Sequence, residues 1–208
     1  MKRLLGCLIL CCGIFAASIP ASAQLPTLYS MGTPPHPAGG QAMTAKPKAP
    51  ASPPAMAVAV IGSRSLWIAY SSPGVKGRAG KIFTSDGLIK TSGGSQYPIW
   101  RTGANSATTL ITSGKMKIGD IVVPAGAYTL FADISDPNNW TLIINKKTGE
   151  WGLSYDPAED LGKTKFTTSA LPTMVENLKW DITDNGNGTG VISLSWENHT
   201  ASVAVDTR

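Results

Sequence analysis

The residues best suited to chemistry are grouped in Trp100-Arg101-Thr102-Gly103-Ala104-Asn105, in a chain of which only 15% is charged. Arg101 offers a forked set of N–H donors to a carboxylate or phosphate, and Asn105 offers an amide to a hydroxyl. Strand alternation puts Trp100 and Thr102 on one face and Arg101 on the other, with Gly103 free to take a positive φ and Asn105 suited to a turn. The competing reading is structural, with Arg101 paired to a carboxylate and Trp100 filling the core. Arg78 and Lys81 form a second group, on a stretch containing Gly74, Gly77 and Gly80. Backbone N–H groups of such a loop can cradle an anion beside two cations, although the phosphate-loop spacing is absent and a solvated loop uses the same residues. Trp151, flanked by Gly149 and Gly152, is the best exposed platform for a sugar ring among six tryptophans. Its alternative is an aromatic folded onto the edge of the domain.

Other arrangements are weaker. Asp184-Asn185-Gly186-Asn187-Gly188-Thr189 has the composition of a calcium loop but lacks its acidic density and closing Glu, and a hairpin turn needs the same residues. Zinc would require a ligand cluster that the chain does not display, so no metal and no cofactor is expected. His199 is the only histidine placed to act in a triad, and no nucleophile elbow accompanies it. His36 falls in a proline-rich stretch that cannot preorganise chemistry. A carboxylate such as Glu197 acting with His199 or Arg101 is the alternative enzymatic reading, that of a glycan- or ester-directed hydrolase. No catalytic residue is assigned.

The elements that must position these groups are strands. Leu178, Trp180 and Ile182 alternate with Lys179, Asp181 and Thr183, and Ile192, Leu194 and Trp196 alternate with Ser193, Ser195 and Glu197. Turn residues fall between such runs: Gly119-Asp120, Pro124-Ala125-Gly126, Thr148-Gly149 and Asp184 to Gly188. The pattern predicts about ten short strands, the last broken near Asn198 to Thr200, and one helical turn around Pro157 to Leu161. Many strands with Gly/Pro turns imply an all-β, antiparallel β-sandwich, with a β-barrel or jelly-roll-like arrangement as the alternative.

Residues 1–23 read as a signal peptide: Lys2 and Arg3, an apolar run from Leu4 to Ala17, and Ala21-Ser22-Ala23 as the cleavage site. All three cysteines (Cys7, Cys11, Cys12) lie inside it, which leaves the mature chain without thiol chemistry. Residues 24–57 hold eight of the 15 prolines and read as a disordered Pro/Ala-rich linker. Residues 58–208 then form a single β-sandwich domain, long enough for one core. Removing Lys2 and Arg3 from the 18 basic residues leaves 16 against 13 acidic, a net charge of +3. That charge is mild and spread out, which argues against nucleic acid. No second apolar stretch is long enough to span a membrane after signal cleavage.

Six ordered blocks carry a family resemblance: Tyr70-Ser71-Ser72-Pro73-Gly74-Val75-Lys76-Gly77-Arg78, Lys81-Ile82-Phe83, Trp100 to Asn105, Pro124 to Phe131, Trp140 to Lys146, and Leu194-Ser195-Trp196-Glu197. From about Val58 to Asp206 the chain resembles a family of exported bacterial domains of unknown function, with a Ser-Pro-x-Val-Lys-Gly-Arg segment followed by Trp-Arg-Thr-Gly-Ala-Asn. It departs from that pattern at Ser72, where the family has Arg, at the inserted Ala79-Gly80, and in the longer connection from Lys90 to Ile99. The resemblance implies no activity. The expectation is therefore an exported protein, periplasmic or extracellular, that is a non-catalytic binding or structural domain. Its partner would be a carbohydrate, an anionic small molecule or an envelope component, held by Arg78, Lys81, Trp100, Arg101, Thr102, Asn105 and Trp151.

Overall fold

The computed structural model describes residues 50–89, 98–136 and 138–208, all within one compact unit, Pro47–Arg208. The expected signal peptide, the linker as far as residue 49 and much of the connection from Lys90 lie outside the described residues. Among the described residues eleven strands form: β1 (Pro54–Ile61), β2 (Arg64–Ser71), β3 (Ile99–Trp100), β4 (Thr108–Thr112), β5 (Met116–Ile118), β6 (Ile121–Val123), β7 (Gly126–Asp133), β8 (Thr141–Asn145), β9 (Asp160–Lys165), β10 (Thr167–Gly186) and β11 (Thr189–Asp206). One 3₁₀ turn, Pro157–Glu159, is capped by the Asp156 carboxylate accepting from Ala158 N–H, a role suited to Asp just ahead of a proline. No helix among the described residues is long and apolar enough to cross a membrane.

The strands make an antiparallel β-sandwich with no closed barrel. One sheet has the order β1-β2-β4-β7-β8-β9, with β3 also pairing with β7, and the other has the order β10-β11-β5-β6. The period-two pattern explains the facing core. Leu110, Leu130, Leu142 and Ile144 from the larger sheet meet Ile118, Leu178, Trp180, Leu194 and Val205 from the smaller one, all buried. The centre of the larger sheet is buried on its outer face too, where Ala107, Phe131 and Ile143 form a second, smaller cluster with Ile99 and Tyr155 packed against it.

The β10–β11 turn closes on Asn187 and Gly188, both at positive φ (53° and 74°), as a tight two-residue hairpin demands. The expected break at Asn198 to Thr200 takes a different form. Strand β11 runs through it, and the irregularity falls in the pairing, which shifts register on both sides of the Val175–Glu197 pair. Glu197 itself has φ 55°. A bulge of this kind re-aims a side chain without ending the strand.

Candidate functional site

The Trp100 to Asn105 stretch is an excursion between β3 and β4, both of which pair with β7. Trp100 pairs with Ala132 of β7, and Thr108 rejoins the same strand opposite Leu130. The base of the excursion is closed by Thr108 N–H donating to the Arg101 carbonyl at 3.3 Å. Thr102, fully buried at φ 53°, donates from Oγ1 to the Leu130 carbonyl. Its own carbonyl accepts from Thr108 Oγ1 and from Trp180 Nε1, each at 3.1 Å. Trp100 Nε1 donates to the Gly103 carbonyl. A Cβ on Gly103 would stand 2.9 Å from Thr108 Oγ1 and 3.2 Å from the Ser71 carbonyl, so glycine is required there by space. These bonds tie both sheets together at one point, since Trp180 belongs to the smaller sheet.

On the core side, Trp100 stacks on Trp196 (centroids 6.0 Å apart, 21° between planes), and Phe83 meets Trp100, Trp140 and Trp196. The glycine-rich loop lies alongside. Its first part pairs with β10, through Val75 N–H to the Glu176 carbonyl (2.8 Å) and Leu178 N–H to the Pro73 carbonyl (2.9 Å). Ser72 is buried and donates to the Leu178 carbonyl at 2.6 Å. Arg78 folds back on its own loop, donating from Nε to the Val75 carbonyl (3.0 Å) and from Nη2 to the Gly74 carbonyl (2.8 Å). Its guanidinium carbon stands 5.9 Å from the centre of the Trp196 ring, within cation–π range.

Glu197, only 2% exposed, receives Gly80 N–H on Oε1 and faces His199 Nδ1 from Oε2 at 3.3 Å. The left-handed bulge turns this carboxylate toward the loop. His199 is flanked by Trp140 (5.9 Å, 15°) and Phe83 (4.7 Å, 61°). Its Nδ1 is buried and outside hydrogen-bonding geometry, so the exposed part of the ring is its far edge. That edge borders a recess of about 170 Å³ with Asn138, Thr168 and Ser169. Beyond Gly80, the loop walls a half-open cleft of about 710 Å³, lined by Arg78, Lys81, Thr84 and Asp86 over Ile82 and Leu88.

Arg101 points away from all of this. It lies half-buried across Gly152, where a Cβ would collide with its Cδ and stand 2.7 Å from the Asn105 carbonyl. Gly152 N–H donates to that carbonyl, Ala107 N–H donates to the Glu150 carbonyl, and Ser106 bridges Trp151. Burial lowers the Arg101 pKa, and its Nε is enclosed without a partner. Asn105 is exposed at φ 59°, and Trp151 is 57% exposed. The structure thus brings Arg78 and Lys81 together at the cleft and Arg101, Asn105 and Trp151 together on the outer face, while Trp100 and Thr102 are enclosed between. In the sequence Glu197 stands out only as a carboxylate two residues from His199. Nothing in the spacing pointed to its bond with Gly80, which lies 117 residues away. No group of three or more metal-ligating side chains occurs among the described residues.

A family model described as "Protein of unknown function (DUF2911)" matches residues 52–205. No curated protein and no solved structure matches the chain.

Proposed function

Because this chain belongs to the DUF2911 family, whose description assigns no activity, we propose a function from its own geometry: an exported, non-catalytic binding domain whose ligand occupies the cleft beside Arg78 and Lys81. The ligand class is a carbohydrate or small molecule carrying an anionic group. One observation carries the reading, the cleft of about 710 Å³ with Arg78 already fixed in its wall by two carbonyls of its own loop. Its size falls within the range of small-molecule sites. Fixing the guanidinium before binding reduces the ordering cost that a ligand would otherwise meet. Five N–H groups on a guanidinium leave donors for a ligand after those two bonds. Asp86 and Thr84 supply acceptors for hydroxyl groups beside the two cations. Thermal-shift titration of residues 24–208 with uronic acids and sugar phosphates tests this, since a ligand that binds only the native state raises Tm. Lys81→Gln should abolish the shift and Arg101→Ala should leave it. The reverse pattern would move the site to the outer face. Export is tested by N-terminal sequencing of the mature protein, with cleavage expected before Gln24.

A second reading rests on the Glu197–His199 pair at 3.3 Å. The buried carboxylate stands at ion-pair distance from one imidazole nitrogen while the ring borders an open recess, and a turn of the ring would form the hydrogen bond that orients a general base. It supports a hydrolase acting on a small ester or glycoside. Nitrophenyl esters and glycosides are the probes. Turnover abolished in His199→Asn with folding intact would favour this reading, and wild-type protein indistinguishable from buffer would end it.

A further inference from the structure

Strand β2 begins at Arg64 and ends at Ser71, next to the glycine-rich loop, so the end of the sandwich that holds Arg64 is roughly 23 Å from that loop at 3.3 Å per residue. Three chain segments converge there. The start of β2 supplies Arg64, the β4–β5 turn and β5 supply Lys115 and Lys117, and the segment after β11 supplies Arg208. Lys115 and Lys117 flank the buried Met116, so strand alternation sends both ammonium groups to the same outer side. Arg64 is laid over Gly114, where a Cβ would come within 2.6 Å of its Cδ and 2.8 Å of its Nε and Nη1. The reciprocal bonds between Ser65 and Ser113 hold that turn, with Ser65 N–H donating to Ser113 Oγ at 2.8 Å and Ser113 N–H to the Ser65 carbonyl at 3.0 Å. Arg64 Nε is enclosed there without a hydrogen-bond partner.

The result is a half-open pocket of about 350 Å³ with four cations on its walls. Asp206, paired in register with Lys117, is committed to Arg208, whose Nε and Nη2 donate to it at 2.9 and 2.7 Å. Those bonds, together with the Lys117 charge, hold the Asp206 carboxyl down at about 2. Arg64, Lys115 and Lys117 therefore face the pocket without an ion-pair partner among the described residues.

We propose that this pocket is an oxyanion site, distinct from the cleft at Arg78, that takes a phosphate-ester group through Arg64, Lys115 and Lys117. The fork of Arg64 suits two oxygens of a tetrahedral anion, and the two ammonium groups serve as point charges. The pocket volume accommodates a phosphate with a short alcohol attached, so both a soluble phosphomonoester and a phospholipid headgroup carry the required chemistry.

The test uses residues 24–208 in two arms. In the first, glycerol phosphate is titrated while backbone amide shifts are followed by NMR. In the second, the protein is co-sedimented with phosphatidylcholine vesicles with and without phosphatidylglycerol. The expected result is perturbation centred on Arg64 and Lys115 to Lys117, with affinity that falls as salt rises. The Lys115→Gln/Lys117→Gln double variant should weaken binding by about tenfold, while Lys81→Gln has no effect. Both lysines are exposed, so the variant's fold is checked directly by its unchanged amide spectrum away from β5. A response in the first arm alone assigns a soluble ester, and in the second alone a headgroup. Absence of response in both arms, or binding that survives the double variant, overturns the proposal.

Discussion

Trp100 and Arg101 are adjacent in the chain and end in opposite surroundings. Trp100 is 4% exposed within a cage of Phe83, Trp140 and Trp196. Arg101 is half-buried beneath Gly152, with an enclosed Nε and no ion pair among the described residues. A motif read as one constellation is thus divided by a sheet. What it achieves locally is the splice between β3 and β4 along β7, which consumes the polar atoms of Trp100 and Thr102 and the Gly103 carbonyl but not the side chains of Arg101 and Asn105. The surfaces left for a ligand lie on either side of it.

The largest expected effect tests the inner half. Trp100→Ala removes the ring at the centre of the cage and should destabilise the domain by about 3–5 kcal/mol, measured by urea unfolding monitored through the remaining tryptophans. A loss below about 1 kcal/mol would mean that the cage is not the keystone of the fold. The outer half is tested by Gly152→Ala. Its Cβ must displace Arg101 and the Asn105 carbonyl, an overpacking of about 1–3 kcal/mol. Combining it with Arg101→Ala should recover the part due to the side chain and leave the part due to the carbonyl. A fully additive pair would show that Arg101 does not press on Gly152.

The sheets were legible in the chain because their signal is local. Leu178-Lys179-Trp180-Asp181 alternates by itself, and Asn187-Gly188 announces its turn. The pairing of distant parts was not legible. Nothing near Glu197 indicates that its carboxylate reaches Gly80, because that contact follows from a bulge set by strand register across more than a hundred residues. The separation of Arg78 from Arg101 is of the same kind. Both are cations beside glycines in sequence, and only the fold assigns one to a cleft and the other to the underside of a loop.

A smaller effect comes from Tyr155, which covers the outer cluster. Its ring meets Phe131 edge-on at 5.2 Å, and its hydroxyl donates to Asp160 Oδ2 at 2.7 Å. Burial, and then the bond to Asp160, raise its pKa well above the ordinary tyrosine value. A folded-state pKa above the unfolded one favours the protonated form in the fold. The contribution is therefore fully present below about pH 10 and is lost as pH rises from there toward the raised value. Tyr155→Phe should cost about 1 kcal/mol at neutral pH and flatten the alkaline decline that Tyr155 causes. An unchanged decline above pH 10 would assign that loss to other groups, such as Tyr128, whose pKa burial also raises.

The smallest stability effect is expected at Trp151, and it is the sharpest test of the division between faces. The indole is 57% exposed and its residue is held through the backbone bridge to Ser106, so Trp151→Ala should change stability by no more than about 0.5 kcal/mol. A loss of more than about 1 kcal/mol would make it a packing residue. Its effect on binding then separates the surfaces. A ligand seated in the Arg78 and Lys81 cleft has the sheet between itself and Trp151, so its affinity should be unchanged by Trp151→Ala and reduced by Lys81→Gln. A sugar stacked on the outer face should respond in the opposite sense, losing the aromatic platform but not the cation. A single ligand weakened by both substitutions would require one molecule to reach both faces. The separation of Trp100 from Arg101 would then no longer describe the binding surface.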